Sequence, residues 1–455
     1  MKTGRQPVLA AALSAVWVAG LGAQFPLTLE QAVRQAVERY PAVRASAERA
    51  NAAAAAINLA RTAYLPQVTT VAQINRATTN NVYGMLLQQS VISPISGPPV
   101  RDNRASNVFG SAAGFLVSWE PFDFGFRKAG VDAAAATRRR ADAATQNTKF
   151  EAGASAADAY LTVLAAEQQL LAAEAGVARA KVLYDEIRAL SEAGLRPGAD
   201  EARGRAEVAV AENQRIQSAQ AARIANISLA ERVGAGGELT LSSGRLLSAA
   251  PGEVEGAQSA HPAAKEEAAA IEEIQARERA LDRSFFPKFS VEGTTFARGT
   301  GAHPDFSILG GAHGLAPTFY NWGLGFTATF NLTDTKILAE RKKLEAANER
   351  AERAKLDLVN QSLDAARKRA QAMLDGARLI ERNVPVQLEA ARAAERQASA
   401  RYRAGLGALA DVAEAQRLLT NAEIDNALAR LGVWRGMLAM AIAQGDLEGF
   451  LKAAR

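Results

Sequence analysis

Two aspartates, Asp200 and Asp411, stand 211 residues apart, each shortly after a Gly-Leu pair (Gly194-Leu195 and Gly405-Leu406). A carboxylate in the first turn of a helix stabilises the positive end of the helix dipole, typically by about 0.3–1 kcal/mol. Repeated around the mouth of an assembly, the same carboxylates would form a ring that binds cations or is latched by Arg401 or Arg403. The spacing is compatible with either role. No other grouping suggests chemistry. Of three histidines, His261 opens a helix, and His303 and His313 lie in a Gly-rich loop without a Ser, Cys or carboxylate constellation beside them. Dispersed His and five Met make no metal cluster. The chain has no cysteine, which excludes disulfides, thiolate sites, thiol catalysis and a lipidated N-terminal Cys. Residues 310–314 do not match a phosphate loop. We expect no enzyme, no cofactor and no resident metal.

The aspartates belong to a chain that repeats itself. Gly114-Phe115 and Gly325-Phe326, Asp123 and Asp334, Ala193-Gly194-Leu195 and Ala404-Gly405-Leu406, and Gly234 and Gly445 all match at the offset of 211. Pro41-Ala42 and Pro262-Ala263, and Leu65-Pro66 and Phe286-Pro287, match at 221, the difference falling between two strand-like segments where a loop absorbs it. Such duplication is read as one architecture before any local motif is trusted. The pattern divides the chain into a leader over 1–23, a first repeat over 24–234, a linker over 235–258, a second repeat over 259–447 and a tail over 448–455. The first repeat is expected to hold helices over 28–64, strands over 67–78 and 107–119, and a helical hairpin over 123–234. The second is expected to hold a helix over 262–286, strands over 288–298 and 319–331, and a hairpin over 334–445.

The strand segments alternate with period 2. Val68, Thr70, Ala72 and Ile74 oppose Gln67, Thr69, Gln73 and Asn75; Phe289, Val291 and Gly293 oppose Ser290, Glu292 and Thr294. The pattern is clearest where Trp322, Leu324, Phe326, Ala328 and Phe330 oppose Gly323, Gly325, Thr327, Thr329 and Asn331. Segments of about ten alternating residues with terminal aromatics are the mark of an outer-membrane barrel strand, so Trp322, Leu324, Phe326 and Phe330 are expected to face lipid. A soluble antiparallel sheet would alternate in the same way. Between the strands, 79–106 and 301–318 have the Gly, Pro, Asn and Ser content of hairpin loops. Four strands cannot close a barrel, because the smallest closed ones need about eight. A membrane role therefore requires several chains to share one barrel.

The helices favour that role. Residues 123–190 contain no proline, enough for about 100 Å of helix. The second copy, Asp334 to about Tyr402, has the same length with one expected interruption at Pro385. Leu356, Val359, Leu363, Ala366, Ala370, Met373, Ala377 and Ile380 recur at spacings of three and four, as a coiled-coil seam does. Val412, Ala415, Leu419, Ala422, Asn426, Ala429 and Val433 form its mate, and the first copy offers Leu161, Leu164, Gln168, Leu171, Ala175, Ala178 and Val182. The returning helix from Pro197 to Val233 is too short to cover its partner, but with Ala42–Tyr64 stacked on its end the lengths match.

Composition sets further bounds. Lys and Arg number 53 against 48 Asp and Glu, interleaved along helices rather than gathered in a patch, so no nucleic acid is expected. Lys2 and Arg5, an apolar run from Val8 to Leu21 and Gly20-Leu21-Gly22-Ala23 read as an export signal cleaved after Ala23. No later segment is a continuous apolar 20-mer, so any membrane crossing is by strands.

Leu27-Thr28-Leu29-Glu30-Gln31-Ala32 with Tyr40-Pro41, Tyr64-Leu65-Pro66, Pro121-Phe122-Asp123-Phe124-Gly125 and Tyr402-Arg403-Ala404-Gly405-Leu406 carry a resemblance. In order, spacing and duplication the chain resembles the outer-membrane efflux protein family, the TolC-like exit ducts of Gram-negative bacteria. The resemblance covers essentially the whole mature chain. It implies a mainly α chain with membrane β-strands, in which three copies build a twelve-stranded transmembrane β-barrel and a periplasmic α-barrel of coiled-coil hairpins. The implied function is an exit duct that conducts substrates passively. Implied partners are outer-membrane lipid, a periplasmic adaptor (membrane fusion) protein and an inner-membrane pump of the RND, ABC or MFS type. Gly194, Leu195, Tyr402, Gly405 and Leu406 would form the adaptor-contacting tip, and Asp200, Asp411, Arg401 and Arg403 the periplasmic gate. The second copy departs from the family's junction wording, reading Leu332-Thr333-Asp334-Thr335-Lys336, and the first turn has Ser191 where the second has Tyr402. The alternative is a soluble periplasmic coiled-coil scaffold or adaptor, although an adaptor has one hairpin rather than two.

Overall fold

The computed structural model describes residues 26–78, 107–194, 198–248, 260–303, 305 and 307–455. The expected leader, the 79–106 loop and Leu195 lie outside the described residues. In chain order the elements are α1 (Leu29–Arg39), α2 (Pro41–Thr62), β1 (Gln67–Thr78), β2 (Asn107–Phe122), α3 (Phe126–Glu192) and α4 (Gly198–Val233). They continue with α5 (Pro262–Arg283), β3 (Lys288–Thr300), β4 (Phe319–Thr329), α6 (Asp334–Arg403), α7 (Leu409–Gln444) and α8 (Glu448–Ala454). No described helix is long and apolar enough to cross a membrane.

The four strands form one antiparallel sheet in the order β1-β2-β3-β4. The rest is rods. The 67 residues of α3 and the 70 of α6 reach about 100 Å each. The helix α6 runs unbroken through Pro385, where an interruption was expected.

Each short pair of helices stacks end to end, as the length argument required. The end of α4, at Gly234, meets Arg39, the last residue of α1 just before α2, and the end of α7, at Gly445, meets His261 and Pro262 at the start of α5. The second joint is stapled by one side chain. The Nδ1 of His261 accepts from the Ala263 amide at 3.1 Å, and its Nε2 lies 3.0 Å from the Ile442 carbonyl, which assigns a neutral ring protonated at Nε2. Burial holds the pKa of His261 below the ordinary histidine value, in keeping with that form. A Cβ on Gly445, where φ is +79°, would meet Pro262 Cδ at 2.8 Å. The left-handed backbone alone costs a side chain about 1–2 kcal/mol, so Gly445→Ala should lower stability by about 2–3 kcal/mol once the overpacking is added. A chemical-denaturation midpoint within error of wild type would show that the joint is loose.

The seams are half as expected. Val412, Ala415, Leu419, Ala422, Ala429 and Val433 are buried on α7. On α6, however, Met373 and Ile380 are exposed and the buried stripe runs through Ala370, Leu374, Val384, Leu388 and Ala391. On α3, Leu161 and Leu164 are buried, but Leu171 (57% exposed) and Val182 (66%) point away, as do Ala175 and Ala178. Ala172, Ala173, Val177, Ala180, Leu183 and Ile187 pack instead. A straight helix drifts about 20° per heptad against a strict 3.5-residue repeat, and α3 packs on α2, α4, α5 and α7 rather than on one mate. One seam cannot serve them all.

The largest core lies partway along the rods, where short segments wrap them. The segment expected as a linker runs parallel to residue 27 through a Leu27–Leu241 bridge and forms a short 3-10 turn at Gly244–Leu246. The expected tail is the helix α8. Together with α1 they bury Leu27, Leu29, Val33, Leu246 and Phe450 against Tyr160, Leu164, Leu229, Trp434 and Leu438. The Tyr160 hydroxyl lies 2.8 Å from the Leu27 carbonyl and 2.5 Å from that of Ser242, so one proton serves both strands of the belt.

Candidate functional site: a two-faced sheet and a helical tip

Register decides which strand residues share a face. Val68 pairs with Val117, Val117 with Gly293, and Gly293 with Leu324. In the neighbouring rows Thr70, Phe115, Thr295 and Trp322 line up, as do Trp119, Val291 and Phe326. Three stretches read separately from the sequence thus contribute to one apolar face, with β2 supplying the aromatics its own irregular pattern obscured. On that face Trp322 is 75% exposed and Leu324 74%, with Phe326 also open; Phe330 lies just past the end of β4 and is exposed as well. The opposite face is mostly polar, carrying Gln67, Thr69, Gln73, Asn75, Ser118, Glu292, Thr294, Arg298 and Asn321 with Leu116, Phe296 and Phe319 among them by the same register. Exposed aromatics and aliphatics on one side and polar groups on the other are what a wall between lipid and water needs. Both edges, β1 and β4, are unpaired within one chain.

The Phe-Asp-Phe-Gly stretch makes the corner between sheet and rod. Gly125 has φ +85° and Phe124 φ +50°, which turns the chain sharply after β2. Asp123 fixes the turn. Its carboxylate accepts from the Gly125 amide at 3.1 Å, the Arg127 amide at 2.7 Å and Arg127 Nε at 2.8 Å, capping the first turn of α3. Burial works to raise the pKa of Asp123, but the hydrogen bonds from Arg127 and Gly125 outweigh it and hold the carboxyl below its ordinary value. Arg127 then reaches the Ala63 carbonyl at 3.3 Å and stacks over Tyr64, tying the end of α2 to the corner. In the second copy Thr333 precedes α6 with no side-chain cap.

At the other end the Gly-Leu turns reverse the chain. Gly405 (φ +75°) and Gly194 (φ +72°) both take the left-handed backbone. The Leu406 amide donates to the Arg401 carbonyl at 2.8 Å and Gly405 to Tyr402 at 3.0 Å, the two bonds of a Schellman motif. Leu406 is then 73% exposed. Tyr402, expected as a partner contact, is 1% exposed and packs with Leu183, Ile187, Leu409 and Val412 inside the tip. A helical side chain is directed back toward the N-terminus, away from the turn, which lays Tyr402 between the two hairpins.

The four expected gate residues are not brought together within one chain. Asp411 accepts from the Ala408 amide at 3.3 Å at the start of α7, and Asp200 lies in the first turn of α4. Arg401 is exposed. Arg403 pairs with Glu186 on α3, Nε to Oε1 at 3.0 Å and Nη2 to Oε2 at 3.2 Å, a residue no sequence pattern singled out. This pair bridges the two hairpins close to their turns. Nearby Arg179 bridges them again, to Thr420 at 2.9 Å and Glu423 at 2.8 Å. Among the described residues no cluster of His, Cys, Asp and Glu could hold a metal.

A sheet with an apolar face, a polar face and two open edges, carried on rods about 100 Å long, is the architecture that a wall segment of an outer-membrane channel requires. Residues 16–235 match the family model described as outer membrane efflux protein. No curated protein sequence matches the chain. Solved structures share its fold over nearly its full length. A membrane protein from Pseudomonas aeruginosa superimposes with TM-score 0.74 at 18% identity, covering 92% of each chain. The CmeC outer membrane channel of Campylobacter jejuni gives 0.71 at 15% identity, over 92% of this chain and 85% of that one. The open state of the MtrE outer membrane channel of Neisseria gonorrhoeae gives 0.69 at 18%, over 92% and 89%. The first half of the chain thus resembles the outer membrane efflux protein family, and the chain as a whole shares the fold of solved outer membrane channels.

Proposed function

We propose that three copies of this chain assemble into one exit duct that conducts substrates passively from a periplasmic adaptor and an inner-membrane pump to the exterior. The observation that carries the proposal is the four-stranded sheet with one apolar face and unpaired outer edges. Such a sheet is stable in a membrane only when β1 of one copy pairs with β4 of the next. The rods support the same closure. Leu344, Leu358, Leu379, Ile380 and Val386 are exposed along α6, and Leu59 on α2 with Val210, Ile216, Ile224 and Ile227 on α4 are exposed on the opposite flank. These stripes would bury one another between neighbouring copies. The adaptor would dock on Leu406 and the two Gly-Leu turns. Substrate choice would rest mostly with the pump, since the polar face offers only general hydrogen-bonding groups.

Planar-bilayer conductance of the detergent-purified protein, with its mass measured in the same detergent, tests the reading. A trimer with discrete openings supports it; a monomer that extracts in carbonate and never conducts replaces it with the soluble scaffold. The gate follows from the same assembly. Two tip aspartates from each of three copies would ring the periplasmic mouth, so Asp200→Asn with Asp411→Asn should raise closed-state leak several-fold and weaken block by divalent cations. Unchanged leak and block in the double variant would leave Asp411 and Asp200 as helix caps only.

A further inference from the structure

Below the sheet, a cavity of about 850 Å³ opens between the start of α3, the end of α5 and the start of α6. Its upper wall is aromatic. Phe124 stacks on Phe286 with centroids 5.1 Å apart and lies 6.0 Å from Phe289, which in turn stacks on Phe326 at 5.8 Å. Because Phe326 belongs to the face that carries Trp322 and Leu324, the cavity is continuous with the apolar surface rather than with the polar one. Its lower walls are cationic. Lys128, Arg279, Arg283 and Lys342 line it together with Asp132 and Asp282, a net charge of +2. Lys342 is paired with Asp282. Among the described residues Lys128, Arg279 and Arg283 make no ion pair. Unpaired cations below an aromatic wall, at the foot of a membrane sheet, complement a ligand with a phosphate at one end and hydrocarbon at the other.

We propose that this cavity holds the headgroup of an anionic phospholipid from the periplasmic leaflet, with the phosphate against Lys128 and Arg283 and the acyl chains along Phe124 and Phe326. The proposal rests on the reading that the Trp322 face meets lipid. A free inorganic anion would use the cations but leave the aromatic wall uncovered, so lipid is the occupant the whole cavity fits. The cavity is walled by three helices of one chain, so each copy carries its own site.

Native mass spectrometry of the full-length, detergent-purified protein tests this, with phosphatidylglycerol, phosphatidylethanolamine and inorganic phosphate as probes. One phosphatidylglycerol should be retained per chain in preference to phosphatidylethanolamine. Lys128→Gln with Arg283→Gln should weaken phosphatidylglycerol retention by about 30-fold and leave phosphatidylethanolamine unchanged, whereas Lys128→Arg with Arg283→Lys should retain it. Both side chains are exposed, so neither pair should impair folding; the charge-conserving pair controls for that. Equal retention by wild type and the Gln variant overturns the site, and displacement of the lipid by equimolar phosphate overturns the lipid assignment. A chain that leaves membranes without detergent would refute the membrane face itself. A chain that needs detergent but shows no headgroup preference refutes only this site.

Discussion

Trp434→Ala should lower the stability of the folded chain by about 3–5 kcal/mol, the range for emptying a buried aromatic site. Trp434 is 1% exposed and Phe450, 2% exposed, meets its ring edge-on at 6.1 Å. Around them lie Leu431, Met437, Leu438 and Leu246, held by rods and belt alike, so the site has little freedom to collapse. Loss of the ring also releases α8, whose one buried side chain is Phe450. For a chain of this size the loss corresponds to a fall in Tm of about 4 °C, read by calorimetry in detergent. Trp434→Phe should recover much of it by keeping an edge-on pair. A shift below about 1 °C for the alanine variant would mean that the belt is not packed on the rods and that α8 is dispensable.

Removing both Arg140 and Arg277 should cost about 3 kcal/mol at neutral pH, because it strands a buried carboxylate. Glu273 on α5 is 2% exposed. It accepts from Arg140 Nη1 at 3.0 Å and Thr137 Oγ1 at 2.9 Å, and from Arg277. Burial works to raise its pKa, but the hydrogen bonds from Arg140 and Thr137 and the charge of Arg277 more than offset that, so the carboxyl sits below its ordinary value. The pH dependence follows. A carboxyl whose folded pKa is depressed adds stability that is complete above the ordinary carboxylate range and is lost as pH falls through the folded value. In Arg140→Ala with Arg277→Ala the offset is gone and burial dominates, so protonation should relieve the variant. Denaturation at pH 7.5 and pH 5 should therefore show wild type holding or losing stability on acidification while the variant gains. Parallel changes in the two proteins would show that Glu273 is hydrated and not a buried charge. Adding Glu273→Leu to the double variant should restore most of the lost stability, since an apolar side chain in that place carries no desolvation cost.

Much of the architecture was legible in the residues because it depends on local rules. Period-2 alternation marked the faces of β1, β3 and β4, and pairing register then joined Val68, Leu324 and Phe326 on one side. The four helix-ending glycines that match at one offset, Gly194, Gly405, Gly234 and Gly445, all have positive φ, because only glycine ends a helix there without strain. Rod lengths followed from the spacing of prolines and glycines. What tertiary structure decided concerns residues far apart in the chain. Leu171 is the more apolar of two neighbours, yet Ala172 is the one buried, since the choice depends on where α2, α4, α5 and α7 surround α3. Tyr402 turned inward and Arg403 found Glu186, 217 residues away, without any pattern to announce it. The described part of the linker, residues 235–248, and the tail became a belt because Leu27, Leu246 and Phe450 reach Tyr160 and Trp434 only when segments distant in sequence meet.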